Sequence, residues 1–369
     1  MNNNNVTGML DTIIIGGGQA GLTLGHHLKK QQRKFLILDA NPRTGDAWRQ
    51  RWDSLRVFTP AKYDGLPGEP FPADPLSFPT KDEVAGYLEE YAERNALPVL
   101  HGTRVERLWR EGGHFIAAAA DGRRWEAHNA IVATGVSQAP KVPAFAAELA
   151  PSTFQLHSAA YRNPGQLQDG SVLVVGLGNS GAEIAFEVSR THPTTVAGKP
   201  GGELPVKHGR AAARYVLPVV RFLGLHVLNL NTPVGRKVAP AFKAHAAPLI
   251  RTKTKDLAAA GVRLVPRVTG VQDGKPVLAD GTRLDVANVI WCTGFRDDFS
   301  WIDPDLLVDG ELPRQHRGAA LDTPGLFFLG QEFLYAAASA TLPGAGRDAR
   351  YLAGKIPALG RIDVLPMRQ

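Results

Sequence analysis

"VVGLGNSGAEIA" (residues 174–185) holds a G-x-G-x-x-G on Gly176, Gly178 and Gly181, and "DTIIIGGGQAGL" (11–22) holds another on Gly16, Gly18 and Gly21. Each follows a short apolar run and opens a segment with apolar residues at helical spacing, so each reads as strand, tight turn and helix. In such a turn the first glycine permits the sharp exit from the strand. The second lets backbone approach a pyrophosphate, and the third lets helix and strand pack closely. The helix N-terminus offers free N–H groups and a partial positive charge to the phosphates. Two such turns predict an α/β protein with two dinucleotide-binding units.

The residues trailing each turn differ. Asp39 stands 18 residues beyond Gly21, at the end of "KFLILDA", where a carboxylate accepts hydrogen bonds from an adenosine ribose. Lys199 stands 18 residues beyond Gly181, and no acid accompanies it. A cation there suits a 2′-phosphate, with Lys207 and Arg210 as assistants, so the second site reads as preferring NADPH to NADH. The alternative is a solvated Lys199 and a site indifferent to that phosphate. The two cradles thus suggest a resident flavin dinucleotide at the first and a nicotinamide dinucleotide that reduces it at the second.

Outward from the turns, "KDEVAGYLEEYAERN" (81–95) predicts a helix. "TRVERLWR", "HFIAAAA" and "RWEAHNAIVATG" predict a meander returning to a buried strand that ends at Thr134-Gly135. In the second unit "TTVAG" predicts a strand, and residues 262–294 a hairpin followed by a buried strand into Thr293-Gly294. "PGLFFLG" and "GAGRDARYLAGKI" predict a closing strand and helix. The expected units are 1–160 with 291–369 for FAD, and 165–290 for NAD(P)H, with a basic, helical insertion at about 201–260.

The chain has 369 residues and a formal net charge of +7. Residues 190–255 contain twelve Lys/Arg and one acid, Glu203, so this stretch is basic while the remainder sums to −4. Such a segment faces cofactor phosphates, an acidic substrate or a lipid surface, or is a solvated basic face. Few aromatics accompany it, which argues against nucleic acid. No run of 18 apolar residues and no basic, apolar leader occur, so a cytoplasmic enzyme is the expectation. The single cysteine, Cys292, excludes a redox dithiol and with it a disulfide reductase of the usual form.

With both cradles in place the chain resembles the class B flavin-dependent monooxygenases: flavin-containing and Baeyer–Villiger monooxygenases, plant auxin-forming relatives and, most of all, short bacterial flavin-containing monooxygenases. Several motifs carry the resemblance. "TGDAW" has Gly45 and Trp48 of the family's G-G-x-W, with Asp46 in place of the second glycine. "ATGVSQAPKVP" (133–143) matches its linker, and "QLHSAAY" has His157 and Tyr161 of its H-x-x-x-W/Y element. "GLGNSGAEIA", "WCTGF" (291–295) and "FFLGQEFLYAAASATLPGAGRDARYLA" match the nicotinamide turn, a second strand end and the closing flavin segment. The Phe and Gly that precede the family's histidine are Pro151 and Thr153 here. No Asn occurs in "SLRVFTPAKYD" (54–64), where longer members place one over the flavin; Phe58 or Thr59 takes its place. For the arginine of Baeyer–Villiger members, Arg56 and Arg347 are the candidates.

The resemblance implies an NAD(P)H-dependent flavin monooxygenase. Through a flavin 4a-hydroperoxide it passes oxygen from O2 to a small soft nucleophile, a thioether or amine, or to a ketone. An NAD(P)H oxidase or quinone reductase is the alternative. The implied FAD residues are Gly16, Gly18, Gln19, Ala20, Gly21, Asp39, Trp48, Val105, Thr134, Gly135, Gly330, Ser339, Ala340 and Thr341. Those for the nicotinamide dinucleotide are Gly176, Gly178, Asn179, Ser180, Gly181, Lys199, Cys292, Thr293 and Gly294. Phe58, Thr59 and His157 are the catalytic candidates, and no metal is expected. The missing Asn implies a leaky enzyme. Membrane contact by 210–255 is the lesser expectation, because Pro218 and Pro233 interrupt a long amphipathic helix; a lid over the nicotinamide site is preferred. A homodimer is the default oligomer.

Overall fold

The computed structural model describes residues 8–244, 247–308 and 311–357. Its first sheet is built around β1 (Leu10–Ile15), whose six residues are all buried. A strand so apolar belongs at the centre of a sheet covered on both faces. Helix α1 (Gln19–Lys30) carries the chain to β2 (Phe35–Leu38), which pairs parallel with β1. After α2 (Asp46–Arg49) and α3 (Lys81–Arg94) the chain adds β3 (Val99–Leu100) beyond β2. The meander follows as β4 (Val105–Glu111), β5 (His114–Ala119) and β6 (Arg124–Val132). Strand β6 pairs parallel with β1 on its other side. The order therefore reverses at β1, and ligands of open α/β sheets bind at the carboxyl end of such a switch point.

The chain leaves this unit through β7 (Ala139–Pro140) and builds a second parallel sheet. That sheet contains β8 (Phe154–His157), β9 (Val172–Val175), β10 (Thr194–Ala197) and β11 (Arg263–Val265), with α4 (Asn179–Val188) linking β9 to β10. After a hairpin of β12 (Val268–Gln272) and β13 (Lys275–Leu278), β14 (Asn288–Trp291) inserts between β9 and β8. The order again reverses at the strand that carries the glycine turn, here β9.

Period-2 alternation supplies both cores of the second sheet. Val172 and Val174 face one cluster, and Leu173 and Val175 the other. Burying each such side chain contributes about 1.5–3 kcal/mol. The return crossing is β15 (Phe295–Arg296), which pairs antiparallel with β7, so the two links between units run side by side. Then β16 (Gln315–His316), β17 (Ala319–Ala320) and β18 (Leu326–Phe328) extend the first sheet beyond β6, and α9 (Leu342–Ala353) shares a core with α1.

The first crossing comes earlier than the boundary expected at about 160. Phe154–His157 pairs with β14 as the edge strand of the second sheet, and Tyr161 is buried in that unit's core. The expected insertion is helical: α5 (Arg210–Tyr215), α6 (Leu217–Phe222), a π turn over Leu223–Val227, α7 (Pro233–Ala244) and α8 (Thr254–Ala259).

Candidate active site

The two glycine turns have the same geometry. Gly16 and Gly176 have φ of 113° and 107°, in the left-handed region that excludes other side chains. Gly18 and Gly178 cap α1 and α4 with ψ of −173° in both. A Cβ on Gly21 would lie 2.0 Å from the Gly16 carbonyl oxygen, and one on Gly181 would lie 1.9 Å from that of Gly176. Each turn is pinned by its neighbouring strand: Gly16 N donates to Leu38 O at 2.8 Å, and Gly176 N to Ala197 O at 2.9 Å.

Both cradles fit a dinucleotide. A Cβ on Gly18 would meet nothing within 4 Å, so open space lies in front of the middle glycine where a pyrophosphate approaches. Neither α1 nor α4 has a side-chain cap or an acid in its first turn. Surface helix α3, in contrast, is closed by a capping box of Thr80 and Glu83. The orphan N–H groups of α1 and α4 therefore remain open to phosphate oxygens.

Asp39 is buried at the end of β2 and accepts from Gly17 N (2.7 Å), Asn41 N (2.7 Å) and Asn41 Nδ2 (2.9 Å). Three donors orient the carboxylate, and an ionised one has about four acceptor positions, which leaves room for a ribose hydroxyl. In the second unit the strand register places Gly198 at the position equivalent to Asp39, one residue before the Lys199 found by counting. A Cβ on Gly198 would lie 3.3 Å from Leu177 N, the group equivalent to Gly17 N. No carboxylate occupies that corner, and exposed Lys199 follows it directly. Of the suggested assistants, Arg210 pairs with Asp74 at 3.1 Å, and exposed Lys207 lines a basic cleft beside Phe186 and Arg251.

Around the first cradle the expected flavin residues converge in part. Trp48 Nε1 donates to Gln19 Oε1 at 3.2 Å, and Gly330, at φ 78°, approaches Ala20 so closely that its Cβ would lie 3.0 Å away. Gln331, absent from the sequence expectation, donates to Gly135 O at 3.2 Å and joins the closing segment to the strand end at Thr134. Ser339 is buried, and its hydroxyl accepts from Tyr335 N and Ala336 N, so it holds the 335–339 turn. Thr341 donates to Ala338 O at the entrance of α9, just after Ala340. Val105 packs in the core beneath β1, on the face away from α1.

The nicotinamide-side residues also carry structural duties. The Asn179 amide bridges Pro248 O and Ile250 N, tying the cradle to the insertion, beside Ser180 in the first turn of α4. Thr293 donates to Lys141 O across the paired links. Burial pushes the Cys292 thiol up to about 12, so it carries no thiolate at neutral pH.

The catalytic candidates resolve differently. His157 Nδ1 accepts from Ala159 N at 3.1 Å, and Nε2 donates to Gly294 O at 3.0 Å. Both ring nitrogens are used by backbone, and burial lowers the pKa, so His157 is a neutral latch between β8 and the Gly294 strand end. Of the three catalytic candidates it is thus the one whose ring nitrogens are both committed to backbone. Phe58 is exposed, with its carbonyl accepting from His208 Nε2 at 2.9 Å. The Thr59 hydroxyl donates to Asp64 Oδ1, and Asp64 is wholly buried with no partner for Oδ2. Burial pushes the Asp64 carboxyl up to about 7, which the Thr59 hydrogen bond only partly offsets. Sequence reasoning missed Asp64 because an acid in a Pro-Ala-Lys-Tyr turn reads as solvated. Arg56 donates to Phe78 O, and Arg347 pairs with Asp348 at 3.0 Å and lies over the Tyr335 ring at 4.0 Å. Among the described residues no cluster of metal-ligating side chains occurs.

Comparisons with known proteins follow this geometry. A family model described as pyridine nucleotide-disulphide oxidoreductase matches residues 13–203. The CzcO-like oxidoreductase of Geobacillus kaustophilus is 36% identical over 94% of this chain and 98% of its own length. A flavin-containing monooxygenase from Stenotrophomonas maltophilia has a TM-score of 0.76 and 31% identity, over 94% of this chain and 98% of that one. The probable indole-3-pyruvate monooxygenase YUCCA3 of Arabidopsis thaliana is 27% identical over 82% of this chain and 77% of its length.

Proposed function

We propose, for a chain that belongs to the class B flavin-dependent monooxygenases and works with FAD and NADPH, that it oxygenates a small soft nucleophile, a thioether or amine, or else a ketone. The observation that carries this reading is the pair of congruent, uncapped glycine turns in a chain with one buried thiol. Two dinucleotides are accommodated while dithiol chemistry is excluded. FAD held at the first cradle would supply the hydride acceptance and dioxygen activation that such an oxygen transfer needs.

The chain's own part is to bind, orient and keep dry. The N–H groups of α1 and α4 would hold the pyrophosphates and Asp39 the first ribose, while Trp48 and Gly330 border the first turn. Exclusion of water protects the oxygenating species, and few titrating side chains are needed for that. Loop 54–64 offers the side chain of Phe58 and a Thr59 hydroxyl already committed to Asp64, with no amide donor. We therefore expect imperfect coupling.

The test is a stoichiometry with methyl phenyl sulfide under isotopic dioxygen. Sulfoxide carrying one labelled oxygen, in amounts below the NADPH consumed, is the expected result. One-to-one agreement would end the claim of leakage. Label only in hydrogen peroxide would make the enzyme an oxidase or quinone reductase. Coenzyme choice is tested separately. Replacing Lys199 by alanine should raise KM for NADPH about tenfold and leave KM for NADH unchanged, since a single cation near a phosphate is worth about 1 kcal/mol or somewhat more. Equal effects on both coenzymes would remove Lys199 from 2′-phosphate recognition.

A further inference from the structure

The sequence contains no acid from 204 through 255. Much of this stretch folds into helices whose outward side is apolar. Ala212, Ala213, Leu217 and Leu225 are buried against the body, yet Tyr215, Val219, Phe222 and Leu223 are 69, 55, 57 and 42% exposed. Positions 215, 219 and 222 recur at spacings of four and three, which places them on one side of a helical run. Pro218 does not end that run. It falls in the first turn of α6, where its missing N–H costs nothing, and the chain continues helically to Val227.

Arg214 and Arg221 lie within the ridge helices, and Arg236 and Lys237 follow on α7. Arg214, Arg221, Arg236 and Lys237 are exposed. Among the described residues no carboxylate lies within ion-pair distance of these four, whereas Arg210 is paired with Asp74. The expected lid does not account for the ridge, because the insertion is fastened with this side out. Leu230 N donates to Tyr335 O and Ala337 N to Leu228 O, both at 2.9 Å. Arg347 donates to Leu225 O, and Arg221 lies 4.6 Å over the Tyr63 ring.

We propose that the Tyr215–Leu223 ridge docks this enzyme on an anionic bilayer surface. A helix lying in the interface buries an apolar side by a few ångströms and keeps its cations at headgroup level. An aromatic such as Tyr215 keeps an apolar body and a polar tip, the form favoured at such interfaces. The uniform positive charge selects anionic headgroups. This inference stands apart from the oxygenation reading, and its readout involves no turnover.

The FAD-loaded enzyme would be floated with phosphatidylcholine vesicles, with or without phosphatidylglycerol, at low and high salt. Binding at least about tenfold stronger to the anionic vesicles at low salt, and weakened by salt, is expected. Val219→Asp and Phe222→Asp should each abolish flotation while flavin content and circular dichroism stay unchanged. Leu321→Asp, at an equally exposed apolar residue outside the ridge (57%), should float normally. The double change Arg214→Glu and Arg236→Glu should remove the preference for phosphatidylglycerol. Absence of flotation at low salt, or normal flotation of Val219→Asp and Phe222→Asp, overturns the proposal. So does a wild-type dimer that these variants convert to monomer without any vesicle binding, since a second copy would then cover the ridge.

Discussion

Gly18→Val should give a folded protein that purifies without flavin. The backbone at Gly18 has φ −77° and ψ −173°, an extended conformation open to any residue. The new side chain would enter open space, with no protein atom within 4 Å of its Cβ. Stability of the flavin-free chain should therefore fall by only about 1 kcal/mol, the usual cost of a poorer residue at a helix N-cap. The same space is where the pyrophosphate meets the N–H groups of α1. Filling it should weaken FAD binding at least about a hundredfold, or about 2.7 kcal/mol.

Gly21→Ala makes the contrast. Its Cβ would lie 2.0 Å from the Gly16 carbonyl oxygen, so the helix cannot sit on the strand and folding itself should suffer. Visible flavin absorbance relative to protein, read beside circular dichroism, separates the two. A yellow Gly18→Val protein would mean that no phosphate lies over Gly18, and the assignment of the first cradle would fall. A Gly21→Ala protein that folds as wild type would show that strand and helix can part without cost.

Why these turns were legible and other features were not is a matter of range. A G-x-G-x-x-G encodes a local backbone path, so Gly16 and Gly176, Gly18 and Gly178, and Gly21 and Gly181 are specified by their own neighbours. Asp39 was legible because a helix and a strand of ordinary length separate it from Gly21. The same counting failed by one residue in the second unit. There α4 is two residues shorter than α1 and its connection to the next strand one longer, so Gly198 takes the place of Asp39.

Longer-range features left less trace. Strand β8 is the short "FQLH", and only its partner β14, more than a hundred residues away, makes it a strand. His157 has the family's spacing, but spacing does not reveal that two backbone groups occupy both ring nitrogens. The ridge at 215–223 read as a segment broken by proline because position within the helical turn decides what Pro218 does. Burial of Asp64 depends on a surrounding core in which Val57, Ala61 and Leu66 of its own loop meet Leu342 of the distant α9.

Asp64→Asn should change the pH dependence of stability around neutrality. In the folded chain the carboxyl is raised from 3.8 to about 7, chiefly by burial. The folded state therefore holds this proton more tightly than the unfolded state. Its stabilising effect is fully present below about pH 3.8 and is lost as pH rises through about 7. Above that, an ionised carboxylate must be kept in a dry loop, with the Thr59 hydroxyl on one oxygen and nothing on the other.

An asparagine has the same shape and no charge to lose. It leaves an amide N–H without a partner at every pH, a constant cost of about 1–3 kcal/mol. The decisive quantity is thus the change in the difference between variant and wild type. Between pH 5 and pH 9 that difference should move by about 3 kcal/mol in favour of Asp64→Asn, at about 1.4 kcal/mol per tenfold change in proton affinity. Urea midpoints of the FAD-loaded proteins at the two pH values measure it. Parallel shifts would mean that Asp64 is ionised throughout, with a partner for its second oxygen. A widening gap would place a carboxyl that still titrates near neutrality five residues from Thr59. Thr59→Val would then be expected to widen the gap further, since removing the one donor to Asp64 raises its folded-state proton affinity and with it the stability lost on ionisation.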